Sequence, residues 1–208
     1  MTVDSIVVGD FQVNCFVCRG DDNACLVIDP GSDSDTINQH LEANGLSVAA
    51  YLMTHAHVDH ISGLADVHAR FPAPVLFHPA DRKWAFSEAN QMPPFYGVPR
   101  EPAGPFRDVT DGQECTDAGL AYRIIETPGH TPGGICFYFP DHKTLFTGDT
   151  LFAGSVGRTD LPGGDSRLLA SSVKKLAAFP EDTAVYAGHG PASDIGTEKR
   201  TNFVMAAP

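Results

Sequence analysis

Met53-Thr54-His55-Ala56-His57-Val58-Asp59-His60 closes the apolar run Val48 to Met53 and opens a stretch of helical spacing from His60 to Arg70. A strand therefore feeds a turn and then a helix, and four ligand-type side chains fall within six residues. In extended chain, positions i and i+2 face the same way, so His55 and His57 can grip one ion. The turn into the helix then swings Asp59 and His60 toward a second. A lone histidine is more often a core or capping residue, but that reading does not explain four ligand types at this density. The helical H-E-x-x-H arrangement is absent from the sequence.

Three more ligand-type residues stand at turns that follow strand-like runs. They are His130 in Thr127-Pro128-Gly129-His130-Thr131-Pro132-Gly133-Gly134, Asp149 in Thr147-Gly148-Asp149-Thr150, and His189 in Gly188-His189-Gly190. Each is flanked by glycine, which lets backbone pass close to a ligand cluster. His40, His68, His78 and His142 have no such setting and read as surface or ordinary core histidines.

Outward from these motifs, runs rich in β-branched and aromatic residues predict strands at Ser5 to Val8, Gln12 to Cys18, Cys25 to Ile28, Val48 to Met53 and Val75 to His78. Further strands are expected at Tyr122 to Glu126, Ile135 to Phe139, Thr144 to Thr147 and Ala184 to Ala187. Helical spacing marks Ser34 to Ala43, His60 to Arg70, Pro79 to Phe86 and Ser166 to Phe179. The pattern suits an α+β arrangement of two sheets packed face to face with helices outside, although periodicity by itself also allows a doubly wound sheet. Five prolines between Ser87 and Thr110 preclude a long helix or central strand there, leaving either a substrate-covering loop or an irregular connection.

The 208 residues suit one domain spanning 1–208, and 42% apolar with 19% charged residues describes a globular protein. A net charge of -12 with no basic cluster argues against nucleic acid as a partner. No basic flank precedes the short apolar run at the N-terminus and no long apolar stretch follows, so a membrane partner is not expected and the expected location is cytoplasmic. The cysteines number five. Cys15, Cys25 and Cys136 sit in strand-like runs as small hydrophobes. Cys15 and Cys18 form a C-x-x-C in extended chain, where the two side chains face opposite ways, against a zinc knuckle or redox pair.

The ordered H-x-H-x-D-H, T-P-G-H, G-D and G-H-G motifs resemble the metallo-β-lactamase superfamily over almost the whole chain. The resemblance implies an αββα sandwich with mixed sheets. It also implies one metal on His55, His57 and His130, a second on Asp59, His60 and His189, and Asp149 bridging them, with Asp59 and Asp149 as the catalytic aspartates. Gly148-Asp149-Thr150-Leu151-Phe152, Gly157-Arg158-Thr159-Asp160 and the run from Gly188 to Lys199 are similar to the short bacterial glyoxalase II-like hydrolases in particular. The chain ends 19 residues after His189, so the helical C-terminal domain of the longer glyoxalase II enzymes, which grips glutathione, is expected to be missing.

The resemblance thus implies two Zn²⁺, with Fe or Mn accepted by the same donors, and a hydroxide held between the metals. Such a centre carries about one positive charge and favours an anionic substrate. A thiolate leaves without a proton, whereas an amide nitrogen needs one, and no dedicated general acid stands in the motifs. The expected reaction is hydrolysis of a small anionic thioester, glutathione-derived or related, by a monomer or small homo-oligomer. Arg158 could grip a substrate carboxylate or pair with Asp160 or Asp165. Iron-dependent persulfide dioxygenation, hydrolysis of small phosphodiesters or lactams, and a non-catalytic metal-binding role are the alternatives.

Overall fold

The computed structural model describes residues 1–206. Six strands, β1 (Thr2–Val8), β2 (Val13–Arg19), β3 (Ala24–Ile28), β4 (Ser47–Leu52), β5 (Val75–Phe77) and β6 (Phe106–Asp108), form the first sheet in sequence order. Its first three strands are antiparallel, and β3 through β6 run parallel. Parallel neighbours need crossovers, and helices α1 (Ser34–Ala43), α2 (Val58–Ile61), α3 (Leu64–Arg70) and α4 (Pro79–Ala85) lie in those connections.

The second sheet comprises β7 (Glu114–Asp117), β8 (Leu120–Glu126), β9 (Ile135–Phe139), β10 (Thr144–Gly148), β13 (Ala184–Ala187) and β14 (Ser193–Asp194). Its order is β14-β13-β10-β9-β8-β7, all antiparallel except β10 against β13. A small hairpin, β11 (Leu151–Phe152) with β12 (Ser155–Val156), follows β10, and α5 (Ser166–Leu176) and α6 (Ile195–Thr201) complete the chain order.

Both sheets are covered on both faces at their centres, where β2, β3, β5, β9 and β10 are almost continuously buried, while β7 and β8 toward one edge alternate. Along β2 the residues divide by parity. Phe16 and Cys18 join Tyr122, Ile124, Phe137 and Phe146 between the sheets, while Cys15 and Val17 pack with Ile37, Leu41, Leu64 and Val67 under α1 and α3. On the far side Cys136, Tyr138 and Leu145 meet Leu169, Val173 and Leu176 of α5. Three apolar layers thus separate four layers of secondary structure, as an αββα sandwich requires. Cys15 and Cys18 lie on opposite sheet faces, and all five cysteines are free. Among the described residues no helix is long and apolar enough to cross a membrane.

Two expectations need correction. The helix expected over His60 to Arg70 is two helices, starting two residues earlier and broken at Ser62-Gly63. At Gly63 the chain presses onto the Pro30–Ser32 turn: its N–H donates to the Gly31 carbonyl, and a Cβ there would sit 2.6 Å from the Pro30 oxygen. The proline-rich stretch Ser87 to Thr110 is not wholly irregular, because it ends in β6. That strand occupies the sheet edge, where a proline-bounded segment can pair on one side only.

Candidate metal centre

All seven expected side chains converge at one end of the sandwich. The chain leaves β4 through Thr54 and His55, and His57, extended at φ -56° and ψ 142°, begins α2, whose first turn carries Asp59 and His60. These four come from the first sheet. The second contributes His130 from the turn between β8 and β9, Asp149 just after β10, and His189 just after β13. Parallel pairing aligns Gly148 with Ala187, so Asp149 and His189 emerge from neighbouring strand ends. Gly188 lies between them against the cluster; a Cβ there would stand 2.3 Å from Asp149 Oδ1.

The donor atoms form two groups with no member in common, linked by a third made of Asp29, His55 and His60. Those of His55, His57 and His130, and those of Asp59, His60 and His189, each lie within 4.8 Å of one another. Asp149 stands between the groups: Oδ1 is 3.4 Å from His60 Nε2, and Oδ2 is 3.5 Å from both His130 Nε2 and His189 Nε2.

Outward-facing ring nitrogens are tethered, which fixes the inward lone pairs. His60 Nδ1 donates to Asp29 Oδ2 at 2.9 Å, His130 Nδ1 to the Arg158 carbonyl at 2.7 Å, and His189 Nδ1 to the Phe11 carbonyl at 2.9 Å. Asp29 also accepts from the Thr54 hydroxyl at 2.5 Å, and that oxygen lies 3.0 Å from His55 Nδ1. His55 Nε2 and Asp149 Oδ1 are left buried without a hydrogen-bond partner among the described residues. Leaving such groups bare costs about 1–3 kcal/mol each. Cations placed among these donors would satisfy both atoms, and the mixed imidazole and carboxylate set suits two divalent metal ions.

The protein's own field divides the two groups. Burial and the neighbouring His60, His130 and His57 hold the His55 imidazole well below its usual range. Burial and the adjacent His130 lower His57 to about 3. Both therefore present neutral nitrogens at pH 7. Burial also opposes protonation of His60, but Asp149 and Asp59 outweigh it and hold the ring well above its ordinary value. His189 rises for a related reason, its hydrogen bond to Asp59 and the charge of Asp149 overcoming burial. Burial acts to raise the Asp149 carboxyl, yet the facing His60, His189 and His130 hold it below the usual carboxylate range.

The cluster floors a cleft of about 480 Å³ whose walls include Phe11, Met92, Phe152 and Leu161. Met92 brings the Ser87 to Thr110 stretch to the wall of the cleft. Phe11 packs on Phe95 and Tyr96 of the same stretch, with ring centroids 5.3 and 5.1 Å apart, and the Tyr96 hydroxyl accepts from Phe11 N–H at 3.3 Å. Arg158 reaches the rim, where Asp160 holds its guanidinium through two bonds of 2.7 Å. Asp165 is not its partner, since it caps α5 by accepting from Arg167 and Leu168 N–H.

Two residues absent from the sequence-level site support it from behind. Asp29 joins His60 and Thr54 as described. Asp81, fully buried in the first turn of α4, accepts from Ala56 N–H at 2.9 Å, the Thr131 hydroxyl at 2.7 Å and Gly133 N–H at 2.7 Å. It thereby ties the His55–His57 loop to the His130 turn. Asp29 could have been suspected from its place at a strand end before Pro30-Gly31; Asp81 sits in an ordinary helix-start pattern. His40, His68 and His78 pair with Asp4, the Ala73 carbonyl and Glu126, away from the cluster.

A metallo-beta-lactamase family model matches residues 8–189. The chain belongs to the metallo-beta-lactamase superfamily. It is 35% identical over 205 residues to the hydroxyacylglutathione hydrolase GloC of Haemophilus influenzae, covering 97% of each chain. Among solved structures, the BLEG-1 B3 metallo-beta-lactamase superposes with a TM-score of 0.91 at 34% identity, covering 99% of this chain and all of that one. TTHA1623 in a di-iron-bound form gives 0.82 at 33%, covering 97% and 99%. The fold is that of a superfamily made up mostly of dinuclear metallohydrolases.

Proposed function

We propose that the chain hydrolyses acyl thioesters with two metal ions, one held by His55, His57 and His130, the other by Asp59, His60 and His189, with Asp149 shared. Two divalent ions there would lower the pKa of a water to about 7 and polarise a carbonyl. Asp59 and Asp149 supply the negative charge of the centre, and the tethers on His60, His130 and His189 keep its nitrogens aimed inward.

One observation favours the thioester over an amide. Apart from the proposed ligands, the polar side chains of the cleft are those of Ser155 and Arg158, and neither surrenders a proton near neutral pH. A thiolate can leave unaided; an amide nitrogen cannot. Likeness to the hydroxyacylglutathione hydrolase GloC points the same way. Arg158, more than half exposed at the rim, is placed to exchange Asp160 for a carboxylate on the thiol carrier, which suits an anionic substrate.

A second reading, lactam hydrolysis, has support from the likeness to the BLEG-1 B3 metallo-beta-lactamase. Likeness to di-iron TTHA1623 brings iron beside zinc as the resident metal. Loading the metal-free protein with zinc, iron or manganese and assaying one thioester and one β-lactam separates these readings. The expected result is two metal equivalents, thioester turnover, and loss of at least a thousandfold in His57→Ala and Asp149→Ala. Full turnover by metal-free protein, or turnover of the lactam alone, rejects the thioesterase reading.

A further inference from the structure

On the other side of His57 lies a second cavity of about 420 Å³, within the range of small-molecule sites. The two share His57, Met92 and Leu161 and therefore adjoin, which puts the second within reach of a ligand whose reacting carbon lies over the cluster. Besides His57 and Val58, its walls come from four separate parts of the chain: Trp84 of α4, Met92 of the proline-rich stretch, Pro132 beside the His130 turn, and Leu161 with Pro162. Trp84 sets its ring against His57 at 5.8 Å, which places the indole at the junction of the two spaces.

The chemistry of this lining differs from that of the cleft. Its one ionisable side chain is His57, already committed to the cluster. Asn90 is buried and spends its amide N–H groups on the Ala56 and Ala85 carbonyls at 2.6 and 2.7 Å. The remaining amide, Gln91, is exposed. For a hydroxyl or carboxylate the lining offers, apart from His57, few polar side-chain groups, the Gln91 amide and the Asn90 oxygen, whereas methylenes would be buried favourably against its apolar walls.

We propose that this groove is the acyl subsite and takes an uncharged apolar chain, such as butyryl or hexanoyl, in preference to a short hydroxyacyl group. The proposal rests on the thioesterase reading and adds the class of acyl group. The thiol carrier, with its carboxylates, then lies on the Arg158 side of the cleft.

Metal-loaded full-length protein is assayed with acetyl, lactoyl, butyryl and hexanoyl thioesters of one thiol, glutathione. The expected kcat/KM rises roughly threefold per added methylene, so hexanoyl exceeds acetyl by more than tenfold, with lactoyl below butyryl. Leu161→Asp and Trp84→Ala, each checked for native circular dichroism and two bound metals, should collapse the hexanoyl-to-acetyl ratio. Trp84 is the sole tryptophan, so its fluorescence supplies a readout independent of turnover. Hexanoate should shift it saturably, and lactate should not at equal concentration. Thioester turnover with a flat chain-length profile and no response to hexanoate overturns the acyl subsite and leaves the thioesterase reading standing. No thioester turnover, with a saturable response to hexanoate, rejects the thioesterase reading and keeps an apolar ligand groove.

Discussion

At the scale of single residues, protons and metal ions compete for the same lone pairs, and the two donor groups meet that competition differently. His55 and His57 refuse protons when folded, His57 down to about 3, whereas in the unfolded chain each binds one below about 6.5. Stability of the metal-free protein should therefore fall as pH drops from 6.5 toward 3. His60 and His189 do not add to that slope. Their raised values give stabilisation that is complete below the unfolded value and is lost only as pH rises through the folded one. Urea unfolding of metal-free protein across this interval measures the slope, and His57→Gln should flatten it; an unchanged slope in that variant would contradict the assignment. Asp81 gives a second prediction. Burial pushes its carboxyl up while three donors oppose that, so Asn in its place keeps the volume but turns an amide N–H₂ toward a donor. Asp81→Asn should lower stability by about 3 kcal/mol and weaken metal binding at the His55, His57, His130 group at least tenfold, read by calorimetric titration. Equal stability and affinity in the variant would show that the tether does not position these ligands.

At the scale of elements, the candidate ligands were legible because four are packed into six residues after a strand and the other three each sit beside glycine after a strand, whereas the tethers behind them were not. Asp29 and Asp81 act through contacts to chain 25 to 52 residues away, a distance that local pattern does not encode. Short elements escaped for a related reason. β11, β12 and β14 have two residues each, too few for a period to show, and α6 is one of the shorter helices, with a run of polar residues. The break between α2 and α3 was hidden because helical periodicity continues across Gly63, while the steric demand of the Pro30 turn is visible only in three dimensions. The parallel pair β10 and β13 yields a prediction of its own. Gly188 N–H donates to the Gly148 carbonyl at 2.8 Å, holding the two strand ends together, and its missing Cβ is the space into which Asp149 and His60 fit. Gly188→Ala would push on both. It should keep the circular dichroism of the parent and lose at least tenfold in affinity for one of two metal equivalents, measured by competition with a chelator. Full affinity for both equivalents would mean that the strand end yields without disturbing Asp149.

Across the whole molecule, the sandwich places its metal donors at one end of both sheets, four from the first and three from the second. The interior layer around Phe16, Phe137 and Phe146 joins the sheets by apolar contact, and at this end metal ions held by the clustered donors would join them by coordination. Without cations the same end carries Asp59 and Asp149 facing His60 and His189, plus the buried His55 nitrogen and Asp149 oxygen that lack partners. Metal binding should therefore act on global stability as well as on activity. An ion present at about a thousand times its dissociation constant stabilises the folded state by about 4 kcal/mol. For a chain of this length that corresponds to a rise of roughly 8–16 °C in Tm. Scanning calorimetry of metal-loaded protein before and after a strong chelator measures the difference, and Asp81→Asn, with a weakened first group, should show a smaller one. The shift should grow with free metal concentration, because the ions bind the folded chain in preference to the unfolded one. A Tm unaffected by chelation, in protein shown by elemental analysis to have lost its metal, would mean that the two sheets hold this end together through packing alone and that coordination contributes only to chemistry.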